Sequence, residues 1–161
     1  MTKKYKVNWA VRLSNAMVTA LLRAGIPVGA MTLLTVKGRK SGVMRTIPVA
    51  IGEHDGQRWL ISPFGEVSWV HNLRASGRAT LTRGRRSQQV IAVELAPNDA
   101  APLLKQSLAS APSFVRSYFD ATPDSSVDDF RKEAERHPVF RLDSAAASKD
   151  ADRSRESIGR R

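Results

Sequence analysis

The sequence predicts a mainly β domain of the α+β class, built as a six-stranded antiparallel barrel with helices around it. Six short runs rich in apolar and β-branched residues recur at regular spacing, and a turn signal closes each one. The chain has 161 residues, which fits one domain, and its hydrophobic content of 42% is enough for a core. The predicted strands are 31–36, 46–51, 57–62, 78–82, 88–95 and 139–142.

The residues before the first strand, 1–28, predict a basic amphipathic helix. Apolar residues recur at helical spacing from Val7 to Ala24, and Gly25 and Pro27 end the pattern. Two interpretations stay open at this point: the apolar face packs on the barrel, or the helix lies on a membrane surface, which basic residues and tryptophan also suit. The barrel is expected to span 29–142, and a disordered tail is expected over 143–161.

The turn between the first two strands and the start of the second strand, residues 37–48, carry a cluster of glycines and cations. This stretch reads Lys-Gly-Arg-Lys-Ser-Gly-Val-Met-Arg-Thr-Ile-Pro. Glycines let the backbone turn and bring its N–H groups close to a ligand, and such N–H groups form a concavity for anions. Arginine and lysine add charge. The turn is therefore a candidate phosphate-binding hairpin, with a solvated basic turn as the equally plain alternative.

The remaining connections follow the same logic. Asp55-Gly56 suits a tight hairpin after the second strand. Residues 67–75 predict a short helix that ends at Gly77. Asn98 or Asp99 is expected to cap the next helix, and Ser113 a further one. Residues 128–136 predict a last helix before His137-Pro138 and the final strand.

Charge is distributed unevenly. The net charge is +11, and residues 1–93 carry fifteen lysines and arginines against three acidic residues. Such a field attracts anionic cofactors, nucleic acid or anionic lipid alike. The aromatic residues do not alternate with the basic runs, as a single-strand stacking surface would require, so nucleic acid is not an expected partner. Cysteine is absent, which excludes disulfides and zinc–thiolate sites and fits a reducing cytoplasm.

Five motifs, in this order and spacing, resemble the deazaflavin-dependent nitroreductase family. That resemblance implies a split β-barrel, the deazaflavin cofactor F420, and an oxidoreductase that passes hydride to a quinone, an enone or a nitroaromatic. Related barrels bind FMN, FAD or heme, so these stay as alternatives, as does a basic binding module without turnover. The motifs are Gly38-Arg-Lys-Ser-Gly42, Arg45-Thr-Ile-Pro48, Ile61-Ser-Pro-Phe-Gly65, Trp69-Val-His-Asn-Leu-Arg74 and Arg136-His-Pro-Val-Phe-Arg-Leu142.

The resemblance also implies which residues form the site. Residues of the hairpin would hold the anionic tail of the cofactor, and the following strand would lie against its ring. For three of the implied residues a structural alternative stays open: Trp69 as a core residue, Asn72 as a helix–strand hydrogen-bond partner, and Arg74 as a solvated cation. Tyr118 or water would supply the proton. The implied cofactor residues are Arg39, Lys40, Ser41, Gly42, Arg45, Thr46, Ile47, Pro48, Ser62, Pro63, Phe64, Trp69, Asn72 and Arg74.

The expected partner is a small electrophilic substrate, with peripheral membrane contact through the N-terminal helix as a further expectation. A monomer and a homodimer both stay open. Because the cations of the hairpin begin at Lys37, removal of the chain through Ala24 is expected to leave cofactor affinity unchanged.

Overall fold

The computed structural model describes residues 9–146, which form one closed antiparallel barrel with helices packed around it. The strand order around the barrel is β1-β2-β3-β6-β5-β4, with β4 paired back onto β1. The predicted fold class is therefore confirmed. The elements are α1 Trp9–Arg23, β1 Met31–Lys37, β2 Met44–His54, β3 Gln57–Ile61, α2 Ser68–Ser76, β4 Arg78–Arg83, β5 Arg86–Glu94, α3 Pro97–Ser110, α4 Ser113–Arg116, α5 Val127–Ala134 and β6 Val139–Ser144.

The longest strand, β2, changes partners along its length. Residues 44–50 pair with β1, whereas only residues 51–54 pair with β3. Over residues 44–50 the barrel is therefore open on one side of β2, since no other described strand pairs there. Pro48 lies in this part, where a residue without an N–H is tolerated because the strand is an edge. The barrel is closed by its other strand pairs, and the split lies where β2 has no second partner among the described strands, at residues 44–50.

Two hydrophobic clusters hold the domain together. One fills the barrel and includes Leu34, Leu60 and Phe140. The other lies outside it, between the strands and helices α3 and α5, and includes Trp59 and Phe130. The indole N–H of Trp59 donates to Ser107 Oγ of α3 at 3.1 Å. A side chain at Gly52 would overlap this indole, so the contact requires glycine there.

Helix ends follow the predictions in part. Helix α2 ends at Gly77, which has φ 64°, and the Gly77 N–H donates to Leu73 O. The expected cap at Asn98 or Asp99 is wrong: α3 begins at Pro97, which suits the first helical position because it has no N–H to leave unpaired. Helix α5 begins after Ser126, whose side chain forms a capping box with Asp129.

The expectation for the N-terminal helix needs correction. Only Leu22 of α1 is fully buried, and Trp9, Leu13 and Met17 are exposed. The apolar face therefore does not pack on the barrel over these turns. No helix among residues 9–146 combines the length and hydropathy that crossing a bilayer would take.

The C-terminal boundary also differs from the prediction. Strand β6 continues through Ser144, two residues beyond the expected end of the barrel. The remainder of the predicted disordered tail, from residue 147, lies outside the described residues, as do residues 1–8.

Candidate functional site

The basic hairpin between β1 and β2 has a defined backbone. The Gly38 N–H donates to Val43 O at 2.8 Å, and the Gly42 N–H donates to Gly38 O at 2.8 Å. Gly42 has φ 69°, which favours glycine, and a side chain at Gly38 would lie 2.9 Å from Ser41 Oγ. Within residues 9–146 the N–H groups of Lys40 and Ser41 donate no hydrogen bond. Two backbone donors are therefore available to an anion.

Asn72 ties this hairpin to helix α2. The Asn72 side chain is buried, and its Oδ1 accepts hydrogen bonds from the Arg39 N–H and from Arg39 Nη1, both at 3.1 Å. The sequence left Asn72 open as a ligand or a helix–strand partner, and here it is a partner. Because the contact fixes both the backbone and the guanidinium of Arg39, α2 sets where the charge of the hairpin lies.

A cleft lies between α1 and the open part of β2, the strand that follows the hairpin in the chain. The cleft has a volume of about 550 Å³. Thr46, Ile47 and Pro48 line one wall, and Thr46 Oγ1 is 2.8 Å from Thr35 Oγ1 across the β1–β2 pair. The other wall is helix α1. Its lining residues are Asn15, Ala16, Thr19, Ala20 and Arg23.

This second wall bears on the prediction that removal of the chain through Ala24 leaves cofactor affinity unchanged. That statement stays a prediction; in the structure α1 forms half of the cleft. The signal was present in the sequence, since Asn15, Thr19 and Arg23 recur every four residues and so share one face of a helix. It was missed because the larger residues Leu13 and Met17 dominated the pattern.

The loop after β3 leaves the barrel at the level where β2 becomes an edge, since Leu60 pairs with Ile51. Ser62 is fully buried, and its Oγ donates to Gly65 O at 2.5 Å. The Ser62 hydroxyl proton is thus used inside the loop. Next to it, Pro63 is half-buried, and the rings of Phe64 and Tyr118 meet edge to face with centroids 4.9 Å apart.

Trp69 and Arg74 lie on α2 with different surroundings. Trp69 is half-buried and packs on Phe140 in the barrel cluster, with ring centroids 6.2 Å apart. Arg74 donates to Glu94 through Nε and Nη2, both at 2.7 Å, and to Glu66 through Nη1 at 2.8 Å. Its hydrogen bonds to Glu94 raise the pKa of Arg74 above its usual value. Its three donor nitrogens are thus engaged by carboxylates.

A buried pair, Glu133 and His137, lies next to the loop after β3, and neither residue was expected in the site. The Glu133 Oε1 accepts from the Asp120 and Ala121 N–H groups, both at 2.7 Å, and its Oε2 lies 3.3 Å from His137 Nε2. The His137 ring stacks on Phe119 at 4.0 Å. Burial lowers the pKa of His137, while Glu133 and the backbone of Ser62 and Pro63 oppose that shift.

A backbone contact also links this part of the chain to the loop. The Ser62 N–H donates to Pro138 O at 2.9 Å, and this hydrogen bond ties the loop to the residue that follows His137. The signal in the sequence was the spacing of Glu133 and His137, four residues apart at the end of the helix that carries the buried Phe130.

The comparisons with known proteins agree with this geometry. Residues 4–123 match the model of the F420H(2)-dependent quinone reductase family, which is most of the chain.

The chain belongs to the F420H(2)-dependent quinone reductase family.

It is accordingly a deazaflavin-dependent oxidoreductase with F420 as its cofactor. Solved structures support the fold. An F420-H2 dependent reductase, FDR-A, is 21% identical with a TM-score of 0.52, over 71% of this chain and 94% of the other. A structure reported as a domain-swapped dimer is 18% identical with a TM-score of 0.53, over 83% and 99%. A protein of unknown function from Agrobacterium tumefaciens, Atu2129, is 15% identical with a TM-score of 0.53, over 89% and 59%. A search of curated proteins finds no match.

The residues of this family member fit F420. The cofactor combines a flat ring with an anionic tail. The cleft offers the open edge of β2 to the ring. The available N–H groups of Lys40 and Ser41 and the charge of Arg39 and Arg45 suit the tail. Family membership thus favours F420 over FMN, FAD or heme.

Proposed function

We propose that this family member reduces an electrophilic organic substrate, namely a quinone, an enone or a nitroaromatic, at the cleft between α1 and β2. The observation that carries the proposal is the cleft itself. One of its walls, Thr46, Ile47 and Pro48, is an unpaired strand edge, and this strand directly follows the hairpin whose N–H groups are available. A flat cofactor and a flat substrate can stack in a volume of about 550 Å³.

The hairpin would hold the anionic tail of the cofactor. Arg39 is already oriented by Asn72, and Lys40 and Arg45 are exposed next to it. The Ser41 hydroxyl accepts from the Val43 N–H at 3.3 Å, so its own proton can be donated to an oxygen of the ligand. Gly42 keeps the turn in the conformation that brings these donors together.

The walls of the cleft would position the ring. Thr46, Ile47 and Pro48 present the open edge of β2 to it, and the Ser62–Phe64 loop and Trp69 would border it. Reduced F420 supplies a hydride when it is bound, and the protein contributes orientation and exclusion of water. The half-buried apolar side chains Ile47 and Trp69 suit both tasks.

Tyr118 would contact the substrate and supply a proton to it, unless water does so. Its ring is held edge to face against Phe64, a residue of the loop that would border the cofactor. A phenol held in this way can donate a hydrogen bond to an oxygen that becomes negatively charged. Arg74 is the most weakly supported of the expected tail contacts, because Glu94 and Glu66 already bind its guanidinium.

The test combines binding with turnover. F420, FMN, FAD and heme are titrated into the same sample and followed by tryptophan fluorescence. Reduced F420 is then mixed with one quinone, one enone and one nitroaromatic. We expect F420 to bind most tightly and at least one electrophile to reoxidise it. Tight F420 binding with no turnover on any of the three would contradict the proposed substrate class and leave the cofactor assignment intact.

A second proposal concerns peripheral membrane contact through α1. Trp9, Leu13 and Met17 lie four residues apart, so they form one stripe, and each is at least 60% exposed. An apolar stripe with neighbouring cations suits the surface of an anionic bilayer. Co-sedimentation with anionic vesicles should fall when Leu13 and Met17 are both changed to serine. Equal sedimentation of the two proteins would exclude this contact.

A further inference from the structure

The end of the barrel opposite the hairpin has charged residues on its inner face. Strand β1 runs from this end towards the hairpin, and β2 returns, so Thr32 and Glu53 lie far from the turn at residues 38–43. Side chains of a strand alternate between the two faces of the sheet. The alternation therefore shows which residues at this end point into the barrel.

Counting outward from the core gives a consistent inner layer. Leu60, Leu81 and Val90 belong to the cluster inside the barrel. The residues two positions away towards this end are Arg58, Arg83 and Gln88. Arg86 lies two positions further towards the same end than Gln88. The same step from Leu34 and Ile51 leads to Thr32 and Glu53. We call this inner layer, together with Arg85 on the β4–β5 turn, the Arg-rich mouth. Its members are Thr32, Glu53, Arg58, Arg83, Arg85, Arg86 and Gln88.

The Arg-rich mouth surrounds a cleft of about 860 Å³, which is within the range of small-molecule sites. All its members line the cleft, and Ile51 and Leu81 form apolar parts of the wall. Five of the six strands contribute, so the cleft is the end of the barrel interior. Arg58 Nη1 donates to Gln88 Oε1 at 2.9 Å, a contact that reaches across the end of β6 and orients one guanidinium over the opening.

The mouth carries an excess of positive charge. Four arginines and one glutamate give it a net charge of +3. Among residues 9–146 no carboxylate lies within 4.0 Å of a nitrogen of Arg58, Arg83, Arg85 or Arg86. Like charges held on converging strands repel each other, and low-dielectric walls strengthen the field they produce. Arg83, Arg85 and Arg86 are exposed at the rim of the cleft, and Arg58 is half-buried.

We infer that the Arg-rich mouth binds a small organic phosphate, with its phosphate groups on the arginines and its apolar part against Ile51 and Leu81. Guanidinium groups bind phosphate oxygens through paired N–H donors, and several phosphate oxygens can use several arginines at once. The charge of the mouth calls for a ligand with more than one negative charge. The site is separate from the cofactor cleft and does not depend on the proposed substrate.

Inorganic pyrophosphate is a suitable probe, because it has the expected charge and no other chemistry. Calorimetric titration compares the wild type with Arg83→Ala, Arg86→Ala and Arg78→Ala. Arg78 is on β4 as well and is exposed like Arg83 and Arg86, but it faces outward, since its neighbour Ala79 faces the core. We expect saturable binding that weakens about tenfold or more in the two inward variants, by the loss of one charge-assisted contact, and that is unchanged in Arg78→Ala.

Two further variants distinguish binding in the mouth from binding elsewhere on the protein and from general attraction to positive charge. Arg39→Ala removes a hairpin cation and should leave pyrophosphate affinity unchanged, which shows that the probe is not in the cofactor site. Arg83→Lys keeps the charge but loses the paired donors, so it should weaken binding even though its fold is preserved. Circular dichroism of each variant confirms that the barrel is intact.

A phosphate could also come from a lipid headgroup. Vesicles of phosphatidic acid and of phosphatidylcholine distinguish this source, with the wild type and the Arg83→Ala/Arg86→Ala double variant. Binding to phosphatidic acid alone, lost in the double variant, with no binding of pyrophosphate, identifies a headgroup as the occupant. The inference is overturned if neither probe binds saturably, or if Arg78→Ala weakens binding as much as Arg83→Ala does.

Discussion

The two ends of the barrel carry similar positive charge in different structural settings. At the hairpin end, Arg39, Lys40 and Arg45 lie on or beside a turn, where backbone N–H groups are also available. At the mouth, Arg58, Arg83 and Arg86 are on strands, whose N–H groups belong to the sheet, and Arg85 alone of the four arginines is on a turn. The difference teaches that charge alone does not define a site. The local backbone conformation determines which N–H donors are available next to the charged side chains.

The hairpin end also differs in its support. Buried polar residues hold it: Asn72 fixes Arg39, and Glu133 and His137 lie under the loop at Ser62. At the mouth, the Arg58–Gln88 contact is between partly exposed side chains. We therefore expect substitutions of the buried support to affect the hairpin end strongly and the mouth little.

The largest expected effect is on stability. Glu133→Ala should lower the free energy of unfolding by about 3–5 kcal/mol, because it removes a buried charge that accepts from two backbone N–H groups and from Arg136. Urea unfolding measures the change. Glu135→Ala removes the same charge at a nearby exposed position, just after α5, and should cost less than about 0.5 kcal/mol. Similar losses in the two variants would mean that the buried carboxylate does not support this end.

The next effect separates the two ends by cofactor affinity. Arg39→Ala, Lys40→Ala and Arg45→Ala should each weaken F420 binding by roughly ten- to a hundredfold, since a charge-assisted contact contributes about 1.5–3 kcal/mol. Arg85→Ala, in the mouth, should change the affinity little. Dissociation constants at two salt concentrations measure this, and the losses should shrink at high salt where a contact is exposed. Equal small losses in all four would end the assignment of the hairpin.

Asn72 tests whether the support of the hairpin matters for binding. Asn72→Ala leaves the Arg39 N–H without its partner and should cost about 1–3 kcal/mol, divided between stability and F420 affinity. Both are measured on the same sample. Asn98 is exposed on α3, so Asn98→Ala serves as the control. Unchanged stability and affinity in Asn72→Ala would show that the hairpin holds its shape without α2.

The pH dependence of stability reports on His137. Burial holds its folded pKa below the unfolded value, so the unfolded chain takes up a proton first as the pH falls. The contribution of the buried His137 to the free energy of unfolding is present above about pH 6.5. It is lost as the pH falls below this value, by at most about 1.4 kcal/mol per pH unit for one proton. His137→Asn should lack this part of the slope. Parallel curves for the two proteins between neutral pH and the lowered pKa would contradict it.

The smallest effect is expected at Arg74. It binds Glu94 and Glu66 at the surface, and exposed ion pairs contribute about 1 kcal/mol or less. Arg74→Ala should therefore change stability and F420 affinity only slightly. A loss of F420 affinity as large as that of Arg39→Ala would show that the side chain leaves its carboxylates to hold the tail.

Much of the fold could be predicted from the sequence, because strands and turns have local signals. The six apolar runs and their turns predicted the barrel, and the five motifs in their order and spacing indicated the family. The errors occurred where local signals compete. Asn98 and Asp99 looked like caps, yet Pro97 already starts the helix. The predicted strand at 46–51 was too short, because pairing with two different partners extends β2 to residues 44–54.

The sequence by itself determined the class of the molecule: an antiparallel barrel, a basic hairpin between its first two strands, and a resemblance that the family comparison confirmed. These depend on neighbouring residues, whose alternation and turn chemistry are written in order along the chain. Only the tertiary structure decided which distant residues meet. Asn72 reaches Arg39 across 33 positions, and Arg58 reaches Gln88 across 30. Barrel closure sets such contacts, because the register of paired strands, rather than any local signal, determines which side chains share an end of the barrel.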